Sequence, residues 1–213
     1  MLKRTLLTAL ALAFAPAAFA DLTSDIQNLQ HRWEITKYQT PEKEQENAYS
    51  QLAANAKQVV DANPGKAEAL IWKGIILASY AGAKGGLGAL SIVEEAKNSL
   101  EQATNIDGKA LNGSAYTTLG SIYYQVPGWP VGFGDDDKAR DYLKKGLEVN
   151  PDGLDSNFWY ASFLIDQRDY QEALPYLEKA KAAAPRPGRE IADAGRQKEV
   201  DELLAKVHKK LKK

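Results

Sequence analysis

Four residues of this chain return after a fixed interval. Ala139, Leu143, Gly146 and Pro151 recur 34 positions later as Ala173, Leu177, Ala180 and Pro185. An interval of this length marks a supersecondary unit too small to bury its own apolar face, which becomes stable only by stacking on a copy. The residue types say what the unit is. Small residues at 139 and 173 let two helices approach closely, leucines one turn later fill the seam, and the prolines stop the second helix of each pair. No apolar/polar alternation competes with this reading, so the expected fold class is all-α.

The first helix of each pair repeats as well. "YTTLGSIY" (residues 116–123) carries Gly120 where a close helix contact falls, "NFWYASFL" (157–164) carries Ala161, and "ALIWKGIIL" (69–77) carries Gly74. Gly74 lies ten residues after Pro64, as Ala161 lies ten after Pro151, and the seam pattern continues as Ala96, Leu100 and Ala103. On these residues the chain resembles the tetratricopeptide repeat family over roughly residues 45–186, with Tyr116 where the family's first helix usually has Trp. The resemblance implies a helical-hairpin solenoid with capping helices at both ends. The expected units are a divergent hairpin at 21–64, repeats at 67–108, 111–151 and 154–185, and a cap helix at 190–212, all in one domain.

The spacing departs from a plain array in an informative way. Ala161 precedes Ala173 by 12 residues, but Gly74 precedes Ala96 by 22 and Gly120 precedes Ala139 by 19. Two repeats therefore carry insertions between their paired helices, "YAGAKGGLGALSIVE" and "QVPGWPVGFGDDD", emerging side by side at one edge. The second contains Trp129 and Phe133 among prolines and glycines, and large aromatics gain nothing from solvation in a mere connector. At the ends, Leu22, Ile26, Leu29 and Trp33 form one helical stripe, and Val200, Leu203, Leu204, Val207 and Leu211 another, each suited to cover an exposed end of a stack.

Composition excludes several functions. Residues 1–20, "MLKRTLLTALALAFAPAAFA", read as a secretory signal, with a basic start, a short apolar run and a small-x-small site before Asp21. The expectation is an exported, periplasmic protein with cleavage after Ala20 and no membrane span. With 27 basic and 28 acidic residues there is no cationic surplus to neutralise nucleic-acid phosphates. With no cysteine there is no disulfide, thiolate nucleophile or lipidated N-terminal thiol. The two histidines, His31 and His208, sit at opposite ends and offer no metal cluster. "GLGALS" (86–91) and "GFGDDD" (132–137) follow no strand and lack the lysine of a phosphate loop, so they read as turns, with Asp135 to Asp137 capping the next helix. No cofactor or catalytic residue is assigned.

Binding candidates come from the helix faces and the turns. The register assigns to the inner groove one face of each first helix, including Thr117, Ser121, Tyr124, Asp155, Phe158 and Ser162. Tyr124, Phe158 and Ser162 are the ligand candidates there, whereas Trp159 and Tyr160 are expected between helices. Trp129 and Phe133 are candidates on the inserted loop. In "APRPGREIADAGR" the prolines forbid helix continuation, so Arg186 and Arg189 lie in a stiff turn. There a planar guanidinium can clamp a carboxylate of the protein, such as Asp152, Asp155 or Asp166, or one on a ligand.

Two stretches, residues 126–166 and 184–207, are similar to the periplasmic tetratricopeptide proteins grouped as the T component associated with TRAP transporters. That resemblance marks Gly128, Pro130, Gly134, Tyr160, Arg186, Pro187, Arg189, Asp193 and Arg196. It implies a non-enzymatic binding or scaffold protein that engages a transporter's solute-binding protein or holds a small organic ligand in an internal channel. Members of that family can be lipoproteins, and this chain has no cysteine to lipidate. The alternatives are a scaffold binding extended peptides in envelope assembly and, from another class, a hydrolase for which no nucleophile and base can be named.

Overall fold

The small residues pack where their spacing requires. A side-chain carbon at Gly74 would lie 2.5 Å from Leu100 Cγ, and one at Gly120 would lie 2.5 Å from Leu143 Cγ, so each glycine is a close contact between paired helices. Leu100, Leu143 and Leu177 are at most 1% exposed, and Ala96, Ala139, Ala161 and Ala173 are fully buried. Each such leucine contributes about 1.5–3 kcal/mol through removal from water.

The computed structural model describes residues 21–212; the expected signal segment lies outside the described residues. The helices are α1 (Leu22–Tyr38), α2 (Glu42–Ala62), α3 (Ala67–Lys84), α4 (Leu90–Asp107), α5 (Ala110–Gln125), α6 (Asp136–Val149), α7 (Leu154–Asp166), α8 (Tyr170–Ala182) and α9 (Glu190–Leu211), with no strand among the described residues. Consecutive pairs form hairpins, α1/α2 to α7/α8, which stack into a tetratricopeptide-type solenoid with its odd-numbered helices inward. Asp135 caps α6 by accepting a hydrogen bond from Lys138 N at 3.0 Å, and that backbone donor holds its carboxyl below the usual range. The start of α5 is irregular. Leu111, Asn112 and Gly113 have φ of 47, 55 and 73°, a left-handed turn, so the regular helix begins near Ser114.

The terminal helix does more than cover the last repeat. Val200 of α9 packs with Leu154, Phe158 and Ala180, as a cap would. Yet α9 also reaches α1: Glu34 accepts from Ala192 N at 3.3 Å, Lys37 lies 3.7 Å from Glu199, and Gly195 is packed so tightly on Tyr38 that a side chain would enter the ring. The first and last helices meet, and the short solenoid closes on itself.

Both insertions stand at the same edge. The α3–α4 connection turns through Gly85 and Gly86, at φ of 62 and 61°, into one 3₁₀ turn at Leu87–Ala89. In the α5–α6 connection Gly134 N donates to Pro127 O at 3.0 Å and Asp135 N to Tyr123 O at 2.9 Å, pinning the loop across its base. Leu90 of the first insertion approaches Gly132 of the second, 3.6 Å from where a Cβ would sit.

Candidate functional site

Closure of the ring surrounds a cavity of about 1110 Å³ that stays open to solvent. Five inner helices and both insertions contribute to its wall. The charged part is built by the α8–α9 turn and the start of α7. Pro185 and Pro187 break the helix there, and Arg186 donates from its backbone N and from Nε to Asp193 at 2.7 Å each, and from Nη1 to Asp155 at 2.6 Å. In the second turn of α9, Arg196 donates from Nε to Asp155 at 2.9 Å and from Nη1 to Glu199 at 2.5 Å, its guanidinium 4.1 Å from the Phe158 ring centroid. Asp155 is therefore shared by two arginines. Burial alone would raise its carboxyl, but Arg196 and Arg186 overcome that and hold it down to about 2.

Arg189 is placed differently. Its Nε lies 3.4 Å from Glu34, a residue 155 positions away, and its guanidinium sits 5.2 Å from the Trp72 ring. Burial first, and then the neighbouring Arg186, push its pKa below the ordinary arginine value, whereas at Arg186 the carboxylates of Asp155 and Asp193 outweigh burial and push the pKa up. Trp33, Tyr38, Tyr49, Trp72 and Trp159 supply aromatic wall, while Leu87, Leu90, Val93, Ile122, Val126 and Val131 line the insertion side.

The residues expected to bind separate into three groups. Arg186 and Arg189 line the cavity. Tyr124, Phe158 and Ser162 sit in the seams between helices instead: Tyr124 packs edge-on to Phe163 at 5.7 Å beside Ser162, and Phe158 is 6% exposed against Val200. Burial, reinforced by Asp166, raises the Tyr124 phenol, as suits a packed tyrosine. On the loop, Phe133 folds back onto Tyr123 at 5.5 Å with Lys97 Nζ 4.6 Å from its ring, whereas Trp129 is 91% exposed.

Trp159, expected between helices, faces the cavity. The register explains this. Two positions before the small residue of each first helix, Trp72, Thr118 and Trp159 all line the cavity; three positions before it only Thr117 does, and Phe158 turns into the seam, while Ser121 and Asp155 of the expected face also reach the wall. Trp72, two residues before Gly74, was legible by that count; Tyr49 is placed by the local packing of α1, α2 and α3, and Glu34 on α1 carried no signal, because ring closure places it. No group of three or more His, Cys, Asp or Glu residues suited to a metal occurs among the described residues, and no described helix is long and apolar enough to cross a membrane.

Comparison with known proteins agrees with the repeat architecture. Residues 131–186 match the family model described as Tetratricopeptide repeat. The chain is similar to the crystal structure of a thermophilic TPR protein from Thermus thermophilus, at 15% identity and a TM-score of 0.41, over 83% of this chain and 98% of that one. It is also similar to the pilF protein of Pseudomonas aeruginosa, at 16% identity and a TM-score of 0.37, over 90% of each chain. No curated protein matches it.

Proposed function

We propose that this is a non-enzymatic periplasmic binding protein whose tetratricopeptide ring holds a small organic ligand in its cavity and offers its insertion edge to a protein partner. The observation that carries this reading is the closed ring. A solenoid meant for extended peptides keeps its concave face open, whereas here α9 meets α1 and turns that face into a cavity of about 1110 Å³, of the size that takes small ligands. Binding rather than catalysis suits the charged groups of the wall, since Arg186, Arg196 and Asp155 are held by one another.

The partner reading rests on the rim. Trp129, Leu87 and Val131 are 91, 79 and 52% exposed on the two adjoining insertions, and clustered apolar exposure of this kind suits a protein contact. Together with the resemblance at residues 126–166 and 184–207, it favours the T component associated with TRAP transporters, with a solute-binding protein as partner. Affinity purification of the tagged chain from the periplasm, with mass spectrometry of co-eluting proteins and small molecules, tests all parts. A solute-binding protein and a stoichiometric small molecule are the expected finds. A protein recovered only from the cytoplasm, or one that elutes with neither, refutes the proposal.

A further inference from the structure

The three arginines of the cavity are not equivalent. Arg186 engages Nε, Nη1 and Nη2 with Asp155 and Asp193, and Arg196 engages Nε and Nη1 with Asp155 and Glu199. Arg189 has one long contact, Nε to Glu34 at 3.4 Å, and that carboxylate also accepts from Ala192 N and faces His31 Nδ1. The two terminal nitrogens of Arg189 find no acceptor among the described residues, although its side chain is only 13% exposed. The indole beneath it repeats the pattern: Trp72 is 4% exposed and its Nε1 is unpartnered. Donors therefore outnumber acceptors on this part of the wall, and a half-buried guanidinium with an open fork binds a planar carboxylate through paired, charge-assisted hydrogen bonds.

The rest of the wall says what the carboxylate is attached to. Ser114 and Gln125 of α5 both line the cavity, eleven residues apart on one helix, which corresponds to a depth of about 16 Å. Asp152, Asp155, Arg186 and Trp72 lie toward the starts of the inner helices. Ile122, Val126, Val131, Leu87 and Leu90 lie toward their ends, under the insertions. The uncharged Gln125 and Ser121 also lie there, Leu111 and Leu154 lie at the opposite end, and Lys37 and Glu42, at the α1–α2 turn, are the charged residues that break the pattern. Charge is thus concentrated toward one end of the cavity.

We propose that Arg189, seated on Trp72, anchors the carboxylate of a monoanionic amphipathic ligand whose apolar part extends toward the insertion rim, while Arg186 and Arg196 hold the wall together. This rests on the reading of the cavity as a ligand site. Burial and Arg186 both make the charge of Arg189 costly, and the opposite charge of an arriving carboxylate offsets that cost.

Calorimetric titration of the chain from Asp21 with octanoate and with 1-octanol, matched in chain and different in head, tests it. The wild type is expected to bind octanoate at least about tenfold more tightly than octanol, the scale of a charge-assisted hydrogen bond. Arg189→Gln, which keeps a donor for Glu34, is expected to abolish that preference by weakening octanoate far more than octanol. Arg189→Lys, which keeps the charge without the fork and guards against misfolding of the first variant, is expected to retain part of it. Equal binding of the two probes by the wild type, or a preference that survives Arg189→Gln, overturns the role of Arg189 and leaves the cavity reading standing. Binding of neither probe overturns both.

Discussion

Adding one methyl group to either of two helical glycines should move stability in opposite directions. At Gly120 an added Cβ would lie 2.5 Å from Leu143 Cγ and 2.9 Å from both Leu143 Cδ2 and Leu143 N. Ordinary carbon contacts begin near about 3.5 Å. The leucine side chain could rotate, but its backbone nitrogen cannot, so α6 must retreat from α5. Overpacking costs about 1–3 kcal/mol, here about 2–3 because backbone must move, and replacing glycine by alanine in a helix returns about 0.8–1.0 kcal/mol. Gly120→Ala should therefore lose about 1–2 kcal/mol, a fall in Tm of roughly 2–8 °C for a domain of this size. Gly82, in the last turns of α3, has nothing within 4 Å of its Cβ position. There only the propensity gain remains, and Gly82→Ala should raise Tm by roughly 2–4 °C. At Gly74 the obstacles are all side-chain atoms of Leu100, so Gly74→Ala should cost less than Gly120→Ala. Thermal melts followed by far-ultraviolet circular dichroism, on the chain starting at Asp21, measure all three. A Gly120→Ala protein melting at or above the wild type would show that α5 and α6 are not in this contact, and a destabilised Gly82→Ala would remove the basis for the comparison.

Acid stability should report on Asp155. Its carboxyl is lowered from 3.8 to about 2 in the folded protein, so the stabilisation is complete above about pH 4 and is lost as the pH falls through about 2. In urea melts Asp155→Asn should be less stable than the wild type at neutral pH and should show a flatter pH dependence across that window; an unchanged slope would mean that the arginines do not bias its proton. Gly195→Val should push α9 off Tyr38 and open the ring, seen as faster hydrogen exchange in the first turns of α9 and the last turn of α1 while α3–α6 stay protected; uniform protection would contradict closure through this contact. Trp129→Ala should leave Tm unchanged, since the side chain is 91% exposed and such sites shift stability by under about 0.5 kcal/mol, but should weaken capture of the protein partner. A destabilised variant would mean that the indole anchors its loop.

The repeat was legible because its determinants are local. Gly74, Gly120 and Ala161 on first helices, Leu100, Leu143 and Leu177 on second helices, and the prolines between units specify hairpins through contacts at short sequence separation, and all of these leucines are buried as that arithmetic requires. The adjacency of the two insertions followed from the same arithmetic, and the cap at Asp135 from the preference of a helix start for a carboxylate. The phase of the inner face was harder to read. A face defined from one helix is uncertain by one residue, or about 100°, and that step exchanges Phe158 for Trp159. Ring closure left no sequence signal. It depends on the accumulated rotation of stacked hairpins, which brings Glu34 to Arg189 across 155 residues, and small angular differences per repeat decide whether the ends meet or pass. The turn after Pro185 determined that Arg186 and Arg189 would be stiffly presented, but only the tertiary structure decided which carboxylate each holds: packing of α9 on α7 gave Asp155 and Asp193 to Arg186, and closure, which makes α1 and α9 neighbours, brought Glu34 to Arg189 and left its fork open.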